Sequence, residues 1–141
     1  MNKIVIYTDG GARGNPGPAG AGAVILNDKN EVVAEVSDYL GKTTNNVAEY
    51  EALIRALAVL KSMFGAELSK MEIEIKMDSE LIVRQMQGRY RVKAPELKPR
   101  FRQVQSLLTS MPHYSFNHIP REQNSEADAL VNKAIDAGIN A

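Results

Sequence analysis

A chain of 141 residues, 44% of them hydrophobic, is long enough for one ordinary domain with a real core and too apolar to stay disordered. It has no cysteine, which excludes disulfides and thiolate metal sites and fits a reducing compartment. No apolar stretch approaches the roughly 20 residues of a membrane span, and a strand pattern opens directly after Met1-Asn2-Lys3 with no visible signal peptide, so a cytoplasmic protein with no membrane partner is expected. Net charge is zero, yet charge is unevenly placed. Between Arg84 and Arg102 there are seven basic residues (Arg84, Arg89, Arg91, Lys93, Lys98, Arg100, Arg102) and one acidic, Glu96. Such a stretch is either a solvated charge run or the footprint of a polyanion.

The predicted elements follow in chain order. Residues 3–9 read as a strand whose apolar run, Ile4 to Thr8, delivers Asp9 into a glycine-rich turn from Gly10 to Pro18. Residues 21–27 and 31–40 read as two further strands joined by the turn signal Asp28-Lys29-Asn30. From Asn46 to Phe64, Val47, Tyr50, Leu53, Ile54, Leu57 and Leu60 recur at helical spacing, and Gly65 closes the helix. Met71, Ile73, Ile75 and Met77 alternate as a strand. Residues 79–87 predict a short helix ended by Gly88. Residues 97–110 predict another, with Pro99 tolerable in its first turn. Residues 113–119 predict a last strand and 125–137 a last helix. No repeat or linker interrupts this order, so residues 1–141 are expected to form a single domain.

The order βββαβααβα implies a mixed five-stranded sheet, an α/β fold with three antiparallel strands followed by two parallel ones and helices flanking them. Following strand directions, Asp9, Glu49, Asp78 and Asp128 all arrive at one rim, where the carboxyl ends of parallel strands form ligand clefts. Each acid also has an ordinary structural reading. Asn46 to Glu49 and Ser125 to Asp128 have capping-box spacing, Asp78 suits an N-cap, and Asp9 suits a turn. Capping does not require the four to meet, however, and four meeting carboxylates would raise one another's pKa unless cations compensate them. All-oxygen ligands point to a hard ion, Mg²⁺ before Mn²⁺ and not zinc. Two ions about 3.5–4 Å apart could hold the attacking and leaving oxygens of a phosphodiester.

Four motifs in order complete the pattern: Tyr7-Thr8-Asp9-Gly10-Gly11 with Gly14-Asn15-Pro16-Gly17, Thr44-Asn45-Asn46-Val47-Ala48-Glu49-Tyr50, Met77-Asp78-Ser79, and Arg121-Glu122-Gln123-Asn124-Ser125-Glu126-Ala127-Asp128. Together they resemble ribonuclease H of type 1, from about residue 3 to residue 138. The resemblance implies the ribonuclease H-like fold and endonucleolytic hydrolysis of the RNA strand of RNA/DNA hybrids with two Mg²⁺ ions, Mn²⁺ being a possible substitute. It gives Asp9, Glu49, Asp78 and Asp128 the metal-binding carboxylate roles. It also implies that Asn15, Asn45 and Glu49 face the RNA strand, and that Thr44 and Asn45 help hold a DNA-strand phosphate. Gly10, Gly11 and Asn46 belong to the same candidate substrate-binding set through their backbone amides and small polar groups, which suit the 2′-hydroxyls of a wide, shallow minor groove. Arg89, with the basic stretch around it, fits a track for the DNA backbone, and Tyr90 could stack on a sugar.

Two departures from the well-known bacterial form stand out. The basic segment is compact and has no tryptophan. In the loop before Asp128, His118 matches the bacterial histidine by residue count, but by context it ends the last strand, while Arg121 occupies the loop itself. In this the chain resembles a subgroup in which arginine replaces the histidine, and that resemblance makes Arg121, rather than His118, the expected fifth catalytic group; arginine stays protonated, so its role would be electrostatic. No obligate protein partner is expected, and a monomer is the simplest state. Rival readings are a nuclease of the same superfamily acting on DNA junctions or duplex RNA, a non-catalytic hybrid-binding module, and a small-molecule α/β domain whose rim acids are caps.

Overall fold

The computed structural model describes residues 2–141. Strands β1 (Lys3–Ala12), β2 (Gly17–Leu26) and β3 (Val32–Thr43) form an antiparallel meander, followed by α1 (Asn45–Phe64), β4 (Glu72–Met77), α2 (Glu80–Met86), α3 (Lys98–Leu108), β5 (Tyr114–His118) and α4 (Ser125–Ile139). The sheet order is β3-β2-β1-β4-β5, with β4 parallel to β1 and β5 parallel to β4. This is the expected mixed sheet. Short 3-10 turns at Gly65–Lys70 and Arg121–Gln123 are additions that no periodicity announces. No helix among the described residues is long and apolar enough to cross a membrane.

The first three strands are longer than their apolar patterns. Asp9 is expected at a strand end, yet β1 continues through Gly10, Gly11 and Ala12, which pair with Ala21, Gly20 and Ala19 of β2. Backbone pairing does not need apolar side chains, so hydrophobicity underestimates strand length where glycine and alanine carry the ladder. Asp9 lies one residue beyond the last β1–β4 pair, Thr8 with Met77. Asp78 is likewise one residue beyond it on the other strand, so the parallel register itself makes the two carboxylates neighbours.

Two helical layers cover the sheet. Ile4 and Ile6 share a buried cluster with Leu53, Leu57 and Leu60 of α1 and Ile73 and Ile75 of β4. Full burial of each such side chain contributes about 1.5–3 kcal/mol. α1 is buried nearly all round because α3 packs on its outer side; Arg100 of α3 donates to Glu51 of α1 at 3.0 Å. α4 packs on β1, β2 and β3 through Ala127, Val131, Ala134 and Ile135. It lies on the face opposite α1, since Gly10 abuts Ala48 whereas Gly22, the partner of adjacent Asp9, abuts Ala127.

Glycines set how closely these layers approach. A Cβ at Gly10 would lie 2.2 Å from the Ala48 carbonyl carbon, so the first turn of α1 rests directly on β1 backbone. A Cβ at Gly22 would lie 2.4 Å from the Ala127 oxygen. Both helices that carry rim acids, α1 and α4, are thus drawn onto the sheet at backbone distance.

Candidate active site

Asp9, Glu49 and Asp78 converge at the end of β4. Each offers one carboxylate oxygen, and the three oxygens lie within 4.8 Å of one another. Asp128 lines the same open cleft of about 610 Å³ together with Arg121, Asn45, Asn46, Gly10 and Gly11, but it stands outside that tight trio. The fourth carboxylate is therefore near the others without completing their cluster.

Capping does not account for these positions. The N-cap of α1 is Thr44, whose hydroxyl accepts from Val47 N at 3.3 Å; the expected box from Asn46 to Glu49 is out of register, and Glu49 is free of it. The N-cap of α2 is Ser79, accepting from Ile82 N at 3.4 Å, which leaves Asp78 outside the helix. At α4 the N-cap is Asn124, so Ser125 is already helical and Asp128 falls one place beyond a capping box. At α1 and α2 a hydroxyl residue near the acid takes the cap, satisfying a first-turn N–H and leaving the carboxylate uncommitted to it.

The electrostatics are those of an acidic site that Arg121 compensates only in part. Burial, then the charge of Asp78, and then the approach of Asp128 push the Asp9 carboxyl up to about 8. Glu49 is driven well above the ordinary carboxylate range by burial first and by Asp9 and Asp78 next. Its Oε2 is buried with no hydrogen-bond partner. Asp78 is raised by burial, with the Arg121 guanidinium opposing that rise. A hard divalent cation would relieve all of these features: the repulsion, the desolvation and the orphaned oxygen. The all-oxygen donor set fits such an ion.

The expected substrate-binding residues divide. Asn45 and Asn46 line the cleft. The Asn45 Oδ1 accepts from Ala12 N at 2.8 Å, and Asn15 Oδ1 accepts from Asn45 N at 3.1 Å. Both amide oxygens are thereby committed, which leaves the N–H₂ groups as the available donors; Asn45 lines the cleft, whereas Asn15 is not part of its lining. Thr44 serves as a cap and is not part of the cleft lining. Arg89 lies apart, in a neighbouring groove with Asn46, Tyr90, Arg91 and Lys93. Asn46 borders both spaces. Not all of the basic stretch is free: Arg100 is held by Glu51 and Arg84 donates to Gln87 at 3.2 Å. His118 is an exposed β5 residue paired with Met77, whereas Arg121 sits in the 3-10 turn that opens on the cleft.

Asn124 stands in the fourth motif, but the motif assigns it no role. It is 1% exposed, and its Nδ2 donates to the Thr8 carbonyl at 2.8 Å, fastening the start of α4 to β1 beside Asp9. Gln85 likewise has no assigned role. It is buried and accepts from the Tyr50 hydroxyl at 2.6 Å, locking α2 to the residue after Glu49. A polar residue in an apolar surround is the available signal in both cases, but only tertiary contacts show the partner.

Comparison with known proteins places this geometry. The family described as "Reverse transcriptase-like" matches residues 7–134. The chain is 61% identical to LC11-RNase H1, isolated from compost, whose structure it matches with a TM-score of 0.92 over 99% of both chains. That protein has also been solved in complex with RNA/DNA hybrid. Among curated relatives, the chain is 44% identical to the bifunctional protein Rv2228c of Mycobacterium tuberculosis, covering 96% of this chain and 36% of that protein. It is 40% identical to ribonuclease HI of Halobacterium salinarum, covering 95% of this chain and 65% of that one. The chain thus spans about a third of the length of the first relative and about two thirds of the second. With the fold, the register of its acids and these matches over nearly its whole length, the chain belongs to the ribonuclease H type 1 family.

Proposed function

We propose that this chain is an endoribonuclease that hydrolyses the RNA strand of RNA/DNA hybrids. The observation that carries the reading is the clustered trio of Asp9, buried, and Glu49 and Asp78, half-buried, at the head of a polar cleft. Asp9, Glu49 and Asp78, with Asp128 beside them, would hold two Mg²⁺ ions, and Mn²⁺ would substitute. Bound there, such ions supply positive charge opposite the scissile phosphate and make a water more acidic.

The chain's own residues do the rest. Arg121 faces the cleft next to Asp78 and, permanently protonated, holds phosphate charge without accepting a proton. The Asn15 and Asn45 amides, with their oxygens fixed internally, present N–H donors suited to 2′-hydroxyl and phosphate oxygens. The N-terminus of α1, at Asn45 and Asn46, favours an anion. The groove of Arg89, Tyr90, Arg91 and Lys93 adjoins this edge and suits the DNA backbone. Further support comes from LC11-RNase H1, 59% identical in its complex with RNA/DNA hybrid.

Labelled RNA/DNA hybrid, duplex DNA and duplex RNA, each with Mg²⁺, Mn²⁺ or EDTA, test the reading. Metal-dependent cutting of the hybrid's RNA strand is expected, and Asp78→Asn should bind hybrid without cutting it. Cutting of DNA alone, binding without cutting by the parent protein, or wild-type cleavage by Asp78→Asn in Mg²⁺ would sink it.

A further inference from the structure

We infer that Arg13 and Asn132 are positioning residues for Asp128, joining the β1–β2 turn to the acid that stands outside the trio. The inference rests on the reading of Asp128 as a metal-site carboxylate. Asp128, Asn132 and Asp136 are spaced four apart on α4, one stripe along the helix. Arg13 reaches across from the turn between β1 and β2 and bridges the two lower members. Its Nη1 donates to Asp136 Oδ1 at 2.7 Å and its Nη2 to Asn132 Oδ1 at 3.2 Å. Asn132 then donates from Nδ2 to the Asp128 backbone oxygen at 3.1 Å and to Asp128 Oδ2 at 3.4 Å.

The direction of the amide is what gives this chain of contacts a consequence. An asparagine can present either its oxygen or its N–H₂ to a neighbour. Arg13 has only donors, so it fixes the oxygen towards itself and leaves the N–H₂ for Asp128. Turned the other way, the amide would set its oxygen against the carboxylate and repel it. The ion pair with Asp136 holds Arg13 in place for this task. Asp128 therefore has a donor from its own helix, one turn on, which keeps its carboxylate at the cleft edge in a fixed rotamer.

The same turn is bound at its other end to α1, where Asn15 accepts from Asn45 N. Arg13 thus belongs to a turn that spans both acid-bearing helices. It also borders the cleft, which raises a competing role, direct contact with a substrate phosphate. The two roles make opposite predictions about which constant changes.

The test compares the parent protein with Asn132→Ala, Arg13→Gln and the double variant. Mg²⁺ and Mn²⁺ binding is measured by calorimetry without substrate, hybrid affinity in Ca²⁺ or EDTA, and cleavage at varied Mg²⁺. Asn132→Ala should weaken metal binding and raise the Mg²⁺ needed for half-maximal cleavage by about ten-fold, the usual scale for losing a group that orients a ligand, with hybrid affinity unchanged. Arg13→Gln should do the same to a smaller degree, and the double variant should be no worse than Asn132→Ala, because Arg13 works through that amide. Additive losses, unchanged metal binding in Asn132→Ala, or an Arg13→Gln protein that loses only hybrid affinity would overturn the inference. If the parent cuts no hybrid, the functional reading fails on that result, and calorimetry still decides the positioning role.

Discussion

Replacing Asp9 by asparagine should make the metal-free protein more stable while ending its cleavage. In the fold the Asp9 carboxyl is held up at about 8, by burial first and by Asp78 and Asp128 next, against roughly 3.9 in an unfolded chain. Below about pH 4 it is neutral in both states and has no effect on the balance. As pH rises further, the unfolded chain releases a proton that folded Asp9 retains, so stability falls steadily until about pH 8 and then levels off. At about 1.4 kcal/mol per unit, the roughly three units up to pH 7 correspond to about 4 kcal/mol. The substituted side chain leaves a buried amide to be satisfied, at about 1–3 kcal/mol, so the net gain at pH 7 should be about 1–3 kcal/mol. Urea and thermal unfolding of both proteins in EDTA at about pH 5, 7 and 9 measure it. The gain should be near zero at the lowest pH and largest at the highest. Added Mg²⁺ should stabilise the parent and do little for the variant, since only the parent retains the full site. A gain that is equal at both ends of that pH range, or an Asp9→Asn protein less stable than the parent at the alkaline end in EDTA, would refute the electrostatic account of the trio.

Three other substitutions probe how the site is held. Gly10→Ala should destabilise the fold by about 3 kcal/mol or more, since its Cβ would lie 2.2 Å from Ala48, whereas Gly11→Ala, 3.7 Å from Val131, should be nearly silent; paired urea titrations separate them. Asn124→Ala should cost about 1–3 kcal/mol by orphaning the buried Thr8 carbonyl, read from the shift in denaturation midpoint at constant slope. Arg121→Lys retains the charge but loses the planar fork, so cleavage should drop by about ten-fold or more while hybrid affinity holds. An equal loss of affinity would assign Arg121 to binding.

The convergence of the motif acids on one cleft is legible in the chain alone. Asp9, Glu49, Asp78 and Arg121 all line the cleft, and following strand directions is enough to bring the acids to one rim. Less legible is the division of labour around them. Asn15, Asn45 and Thr44 share one polar signature in sequence, yet Thr44 caps a helix while the two asparagines tie a turn to it. Arg100 and Arg89 look alike in a basic run, but Arg100 has an internal partner in Glu51, 49 residues away. Side chains of one type differ only by what the fold brings beside them.

The sequence by itself determined the element order, the mixed sheet and which acids its motifs single out, because alternation, helical period and motif spacing are local properties that survive in one dimension. Only the tertiary structure decided that Asp9 lies inside a strand rather than at its end, that Ser79 and Thr44 take the caps and free the acids, and that Asp128 approaches Asp9 without joining the mutually close trio. Those outcomes depend on register and on how closely two backbones approach, at Gly10 against Ala48 and Gly22 against Ala127. Distances between residues remote in the chain arise from packing the whole sheet between its helices, and no local pattern encodes them.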